Sequence, residues 1–514
     1  MKTSILILLT SVFMLVGSGA GEKPNLIVIM ADDLGYADVG FNGCQDIPTP
    51  HIDTIAANGV KFTSGYAPYS VCGPSRAAFM TGRYGQRFGF ERNPQYRTQD
   101  DNMGLPLSES TIAEVLDTVN YHSGIIGKWH MGATLKLHPL NRGFDEFYGH
   151  LGGGHQYFPE LLTIQDSYAA KNESESYRTW TMRNHEPVEP KKYLTDEFSD
   201  EAVSFIERNY EKPFFLFLSY NAPHTPLQAT EEYLARFADI EDEKRRTYAA
   251  MVSAVDDGVG RVLAALKETA VVDNTIVVFL SDNGGPTTKN ASNNAPLRGA
   301  KGDPWEGGFR VPFAIQWPAK FPKGSVYDHP VISLDILGTI VGQSGAAIPS
   351  GKSLDGVDLT PFLTGENSAA PHEGIFLRKY DQQLHAVRRG NDKLVVYETP
   401  QFFSLFDLSA DIGEKNNLYP SNQALGQELE TLWDEWNESN IDPIFDGLIM
   451  TEEWKKKLAK KKAEKEDAED SKEQVKDGAY WKDQFFKEHP EADTDGDGKL
   501  SWPEHKAYKD KISQ

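Results

Sequence analysis

Asn25-Leu26-Ile27-Val28-Ile29-Met30 runs into Ala31-Asp32-Asp33. The run is apolar almost throughout and rich in β-branched side chains. It lacks the polar alternation of a half-buried strand, so it fits a strand covered on both faces, as in a parallel sheet. Adjacent carboxylates at its end repel each other unless a cation or water screens them, although an Asp-Asp pair alone at a loop start is commonly just a cap. The same arrangement recurs. Gly124-Ile125-Ile126 leads to Gly127-Lys128-Trp129-His130. Pro213-Phe214-Phe215-Leu216-Phe217-Leu218 leads to Ser219-Tyr220-Asn221-Ala222-Pro223-His224, and Thr275-Ile276-Val277-Val278-Phe279-Leu280 leads to Ser281-Asp282-Asn283-Gly284-Gly285. In open α/β sheets ligands bind beyond the carboxyl ends of the strands, so the repetition predicts one shared site. Helical patterns over 194–210 and 247–269 separate the runs, and alternating strands and helices imply a large α/β sandwich.

A chain of 514 residues, 39% hydrophobic, is long enough for a large core and more than one domain. Past residue 364 the texture changes to shorter strand-like pieces at 374–377 and 393–397, closed by a helical pattern at 422–437. This predicts a catalytic domain over 21–364 and a smaller α+β domain over 365–451. Residues 452–476 are mostly Lys, Glu, Ala and Asp and read as a solvated helix or spacer. The net charge of -23 argues against non-specific nucleic-acid binding. It also repels a polyanion at long range, so any anion site must be a local basic pocket. Met1-Lys2, an apolar run from Ile5 to Val16 and Ser18-Gly19-Ala20 describe a secretory signal peptide over 1–20, too short for a comfortable membrane span. The mature chain is therefore expected in the periplasm or outside the cell. Its only cysteines are Cys44 and Cys72, for which one disulfide is the default in an exported protein.

A reactive role for Cys72 competes with that default. In Ser70-Val71-Cys72-Gly73-Pro74-Ser75-Arg76-Ala77-Ala78-Phe79-Met80-Thr81-Gly82-Arg83, residues 77–81 favour helix, Pro74 suits a first turn and Gly82 a stop. Cys72 then lies at a helix N-terminus, which attracts anions, and Arg76 adds a planar, always-charged fork one turn on. Downstream, Leu297-Arg298-Gly299-Ala300-Lys301-Gly302 is a Gly-rich loop, of a kind that more often holds a solvated Lys than a ligand. It is followed by Trp305-Glu306-Gly307-Gly308-Phe309-Arg310-Val311-Pro312.

The Cys-x-Pro-Ser-Arg core at Cys72–Arg76 resembles the signature of the formylglycine-dependent sulfatases of the alkaline phosphatase superfamily, and the resemblance extends from about Pro24 to about Tyr419. It implies a mixed-sheet, alkaline phosphatase-like α/β fold. It also implies that a maturation enzyme oxidises Cys72 to formylglycine, whose hydrated aldehyde is the nucleophile. Asp32, Asp33, Asp282 and Asn283 match the family's metal ligands, an all-oxygen set suited to Ca²⁺ first and Mg²⁺ next. Gly127-Lys128-Trp129-His130-Met131-Gly132 is similar to the second signature. Arg76, Lys128 and Lys301 would screen the sulfate, His224 with Lys301 would protonate the leaving oxygen, and His130 would take a proton as the aldehyde re-forms. Trp129 offers no acid–base chemistry and is expected to pack. Where some relatives carry a Ser ligand, this chain reads Leu151-Gly152-Gly153-Gly154-His155-Gln156-Tyr157, which makes His155 a candidate substrate contact.

The tail stands outside the resemblance. Asp493, Asp495, Asp497, Ser501 and Glu504 fall at positions 1, 3, 5, 9 and 12 of an EF-hand loop, with Gly498 at the sharp turn and Lys499 placed to give its carbonyl. A second Ca²⁺ is expected there, in a segment spanning 477–514. The overall expectation is a secreted sulfatase acting on a sulfated carbohydrate. A phosphonate or phosphate ester hydrolase of the same superfamily is the nearest alternative, and a calcium-dependent binding protein on a silent fold is the alternative from another class.

Overall fold

A computed structural model describes residues 23–161, 180–447, 489–492, 494 and 511. The chain divides into a unit over Met1–Leu448 and a second over Ile449–Gln514. The expected signal peptide, the charged spacer and the calcium loop from Asp493 to Glu504, Thr494 apart, lie outside the described residues.

The strands are β1 Asn25–Ala31, β2 Val60–Phe62, β3 Gly65–Tyr66, β4 His122–Lys128, β5 Glu146–His150, β6 Met182–Arg183, β7 Glu186–Pro187 and β8 Phe214–Ser219. They continue as β9 Thr275–Ser281, β10 Phe313–Gln316, β11 Ser325–Tyr327, β12 Val331–Ile332, β13 Ile375–Lys379, β14 Leu384–Arg389, β15 Asp392–Glu398 and β16 Gln401–Asp407. Among the described residues the main sheet has ten strands in the order β11-β2-β10-β9-β1-β8-β4-β5-β6-β7. Its centre is parallel: β1 lies between β8 and β9, and β4 between β8 and β5. Strand β10 runs antiparallel to β9 and β2, and β6 antiparallel to β5 and β7, so the sheet is mixed. The remaining short strands β3 and β12 pair with each other.

The helices are α1 Pro50–Ala57, α2 Cys72–Thr81, α3 Ile112–Asp117, α4 Leu194–Asn209, α5 Glu231–Ala235, α6 Glu243–Glu268, α7 Glu306–Phe309, α8 Asp335–Ser344, α9 Thr360–Leu363 and α10 Gln423–Asn437. Strand β1 shows why its sequence is apolar without alternation. Leu26, Val28 and Met30 join a core with α2, α3 and α8, while Ile27, Ile29 and Ala31 join one with α1, α4 and α6. Both faces are covered, so every side chain is buried, at about 1.5–3 kcal/mol for each large aliphatic group. Helix α6 begins at Glu243, earlier than its hydrophobic pattern, because Asp242 caps the Arg245 amide. Helix α2 begins at Cys72 itself and ends where Gly82 turns left-handed, φ 63°.

Strands β13-β14-β15-β16 form an antiparallel sheet backed by Leu429, Trp433 and Trp436 of α10. Its core is continuous with Tyr66, Ala78, Tyr84 and Phe309 of the larger layer. Cys44 and Cys72 are both free thiols, which corrects the default of a disulfide: one lies in the loop before α1, the other at the start of α2.

Candidate active site

The carboxyl ends of four neighbouring strands and one helix N-terminus converge. Strand β1 delivers Asp32 and Asp33, β9 delivers Asp282 and Asn283, β4 ends in Lys128 with His130 beyond it, and β8 ends in Ser219 with His224 beyond it. Helix α2 supplies Cys72 and Arg76, and the Gly-rich loop supplies Lys301. Asp33 and His130 have positive φ, 64° and 59°. Non-glycine residues held there cost about 1–3 kcal/mol each, a strain that collects at functional sites.

The contacts are short and mostly buried. The Cys72 thiol donates to Asp32 Oδ1 at 3.5 Å, and Lys301 Nζ donates to Cys72 Sγ at 3.0 Å. Lys301 Nζ also lies 2.6 Å from Asp33 Oδ1, while His224 Nε2 is 3.6 Å from Asp33 Oδ2. Lys128 Nζ donates to Asp32 Oδ2 at 2.5 Å. Arg76 Nε donates to Asp282 Oδ2 at 2.9 Å, and its NH1 donates to Ser219 Oγ and to the Lys128 carbonyl. Asn283 Nδ2 donates to Asp33 Oδ1 at 2.7 Å. One ligand atom from each of Asp32, Asp33, Cys72 and Asp282 lies within 4.8 Å of the others.

Burial and this charge pattern shift the titrations. Burial pushes Asp32 up, but Lys128, His224, Arg76 and Lys301 outweigh it and hold the carboxyl well below its usual range. Asp282 is raised to about 6 by burial and by Asp32. Burial, then Lys128 and Arg76, keep the His130 imidazole neutral. Burial likewise lowers His224, against the pull of Asp32 and Asp33. The Cys72 thiol rises to about 12 through burial and Asp32, so the helix N-terminus does not make it a thiolate.

Ten of the residues singled out from the sequence therefore form one cluster: Asp32, Asp33, Cys72, Arg76, Lys128, His130, His224, Asp282, Asn283 and Lys301. His155 is buried, with Nδ1 2.8 Å from the Gln156 carbonyl and Nε2 3.4 Å from Thr181 Oγ. Its ring lies over His150, which pairs with Lys128 in the sheet register. Trp129 packs in the core and donates Nε1 to the Leu137 carbonyl. Asp493, Asp495, Asp497, Lys499, Ser501 and Glu504 lie outside the described residues. Sequence reasoning passed over Ser219, which accepts from Arg76 and donates to the Lys128 carbonyl at 2.7 Å. Its only signal was its place as the first polar residue after an apolar run.

The family model described as Sulfatase matches residues 24–346. The chain belongs to the sulfatase family. A second model, N-sulphoglucosamine sulphohydrolase, C-terminal, matches residues 303–439. Arylsulfatase D of Homo sapiens is 32% identical, over 78% of this chain and 84% of its own length. N-acetylgalactosamine-6-sulfatase of Canis lupus familiaris is 34% identical, over 70% of each chain. Among solved structures, Ps i-CgsB in complex with k-i-k-neocarrahexaose superposes with a TM-score of 0.76 at 42% identity, covering 82% of this chain and 94% of that one. This sulfatase is thus a sulfuric ester hydrolase with an alkaline phosphatase-like fold. Among the described residues no helix is long and apolar enough to cross a membrane.

Proposed function

We propose that this sulfatase is exported and removes sulfate from a sulfated carbohydrate, with formylglycine made from Cys72 as nucleophile and Ca²⁺ held by Asp32, Asp33, Asp282 and Asn283. The observation that carries the reading is the setting of Cys72: its Sγ sits among three carboxylates and the Lys301 ammonium at the carboxyl edge of the sheet. The carbohydrate class is supported by the likeness to Ps i-CgsB, solved with k-i-k-neocarrahexaose. Export is supported by the leader-like residues 1–20.

The residues suit a hard cation. Asp32, Asp33 and Asp282 offer carboxylate oxygens, and Asn283 Oδ1 is buried and has no hydrogen-bond partner among the described residues. That all-oxygen set matches Ca²⁺ ahead of Mg²⁺. When bound, the ion supplies Lewis-acid polarisation and a lowered hydroxyl pKa at position 72. Formylglycine supplies what a thiol lacks, a hydrated aldehyde with one hydroxyl to attack and a second to expel sulfate.

The chain's own side chains do the rest. Arg76 is fixed by Asp282, Ser219 and the Lys128 carbonyl, so its charge is placed before substrate arrives. With Lys128 and Lys301 it neutralises the sulfate in a dry site, where preorganised charge acts strongly. His224 and Lys301 both face Asp33; the Lys301 ammonium, with His224 beside it to orient the ester, delivers the proton to the leaving sugar oxygen. Neutral His130 accepts the proton released at position 72. We assign a second Ca²⁺ to the tail loop, from its EF-hand spacing.

The test is inorganic sulfate release from a panel of sulfated glycans, an aryl sulfate and a phosphonate ester, with the full chain co-expressed with a maturation enzyme. Release from glycans, lost on chelation and restored by Ca²⁺, supports the reading. Phosphonate turnover without sulfate release would overturn it.

A further inference from the structure

We propose that Lys379, at the end of β13 in the C-terminal sheet, is a positioning residue that fixes Cys72 and Lys301 relative to each other by bonding the loop of each. Its Nζ donates to Ser70 Oγ at 3.3 Å and to the Gly302 carbonyl. Ser70 stands two residues before Cys72, and Gly302 directly follows Lys301. The two loops also meet through the Gly302 amide, which donates to the Ser70 carbonyl at 2.8 Å. Gly302 has φ 91°, a left-handed conformation that a side chain would strain. The ammonium further lies 5.7 Å from the centre of the Tyr69 ring.

Lys379 is 6% exposed, and Ser70 is wholly buried. A buried ammonium is costly unless its donors are satisfied, so this one is held for its bonds. Neither the nucleophile nor the sulfate-facing cations come from the C-terminal sheet. Through Lys379 that sheet nevertheless sets the gap between the attacking position and the Lys301 charge. A misplacement of about 1 Å at such a site costs on the order of a hundredfold in rate. The charged groups that face Lys379 are Asp303 on the Lys301 loop, Asp381 just past β13, and Glu91. Asp381 is paired with Arg92, and Glu91 with Arg378. Burial outweighs the carboxylates and lowers the ammonium to about 8. Its loss of a proton therefore weakens the clamp just above neutral pH.

The proposal rests on Cys72 and Lys301 serving sulfate-ester hydrolysis, and its test separates the two claims. Full-length Lys379→Met keeps the stem and removes the donors. Rates are normalised to the formylglycine content of the Cys72 peptide, read by mass. The expected result is a kcat about tenfold to a hundredfold lower with KM little changed. The wild type should lose activity as pH rises through about 8, and the variant should lack that limb. Lys379→Gln, which keeps a neutral N–H donor group on a shorter stem, should recover part of the rate. A variant with wild-type kcat, or with the same basic limb, overturns the proposal. Amide exchange gives an answer independent of catalysis. In Lys379→Met, peptides covering 68–74 and 298–304 should exchange faster while those of β1 and β9 do not. Unchanged exchange in both loops overturns the clamp. A wild type that releases no sulfate faults the activity reading instead, and leaves the exchange result to decide the clamp.

Discussion

Glu306→Gln tests a buried charge cluster outside the catalytic site. The Glu306 carboxylate is fully buried at the start of α7, five residues past Lys301. It takes Lys393 Nζ at 2.9 Å, Arg310 NH1 at 3.1 Å and the Tyr66 hydroxyl at 2.5 Å, with Arg388 NH1 3.5 Å away. The amide keeps the shape and removes the charge. Lys393, Arg388 and Arg310, all at most 6% exposed, are then left with Glu414, which lies 2.8 Å from Lys393. Breaking one partner of a buried ion pair costs about 3–5 kcal/mol. A unit the size of Met1–Leu448, at about 2.1 cal/mol/K per residue, unfolds with an entropy of roughly 0.9 kcal/mol/K. The expected fall in Tm is therefore about 3–6 °C at pH 7, read by calorimetry. The pH dependence has a definite sign. Burial pushes the Glu306 carboxyl up, but Lys393, Arg388 and Arg310 together pull it below the unfolded value of 4.5. Its stabilisation is complete above that value and is lost as pH falls below it. The Tm gap between wild type and variant should thus be widest near neutral pH and close in acid. Equal Tm values at pH 7, or a gap that persists unchanged at low pH, would refute the reasoning.

Other consequences are as direct. Ser219→Ala leaves Arg76 NH1 with the Lys128 carbonyl at 3.3 Å as its remaining bond. A buried donor deprived of its partner costs about 1–3 kcal/mol, so kcat/KM should fall about tenfold to a hundredfold. Asn283→Ala should weaken Ca²⁺ binding at the active site by about tenfold or more, measured by calorimetric titration of the chelated protein; unchanged affinity would remove Asn283 from the ligand set. Truncation at residue 452 should lower the bound Ca²⁺ by one ion per chain, measured by metal analysis, while sulfate release persists.

Much of this arrangement was legible because parallel strands write their ends plainly. The runs before Asp32, Lys128, Ser219 and Asp282 are apolar on both faces, so the polar residues that follow had to lie at one sheet edge. The place of Cys72 and Arg76 in the first turn of one helix was readable from helix chemistry, since Pro74 and Gly82 mark the first turn and the stop, whereas a reactive role for Cys72 came from the sulfatase resemblance. The Gly-rich loop around Lys301 reads locally as a solvated turn. Only the fold shows its ammonium on Cys72 and Asp33. What stayed hidden depends on long-range pairing. Lys379 sits in an ordinary short strand, and its link to Ser70 spans more than 300 residues. Lys393 and Arg388 look like exposed charges of an antiparallel hairpin until Glu306 arrives from the larger layer.

The central claim is that catalysis runs through an oxidised Cys72. The measurement that tests it most directly is sulfate release from a sulfated glycan by preparations in which the converted fraction of Cys72, read by peptide mass, is varied through the maturation enzyme. Activity proportional to that fraction, with none from Cys72→Ala, is the predicted result. Activity that stays constant while the fraction changes, or that persists with Cys72 as a thiol, would contradict the account.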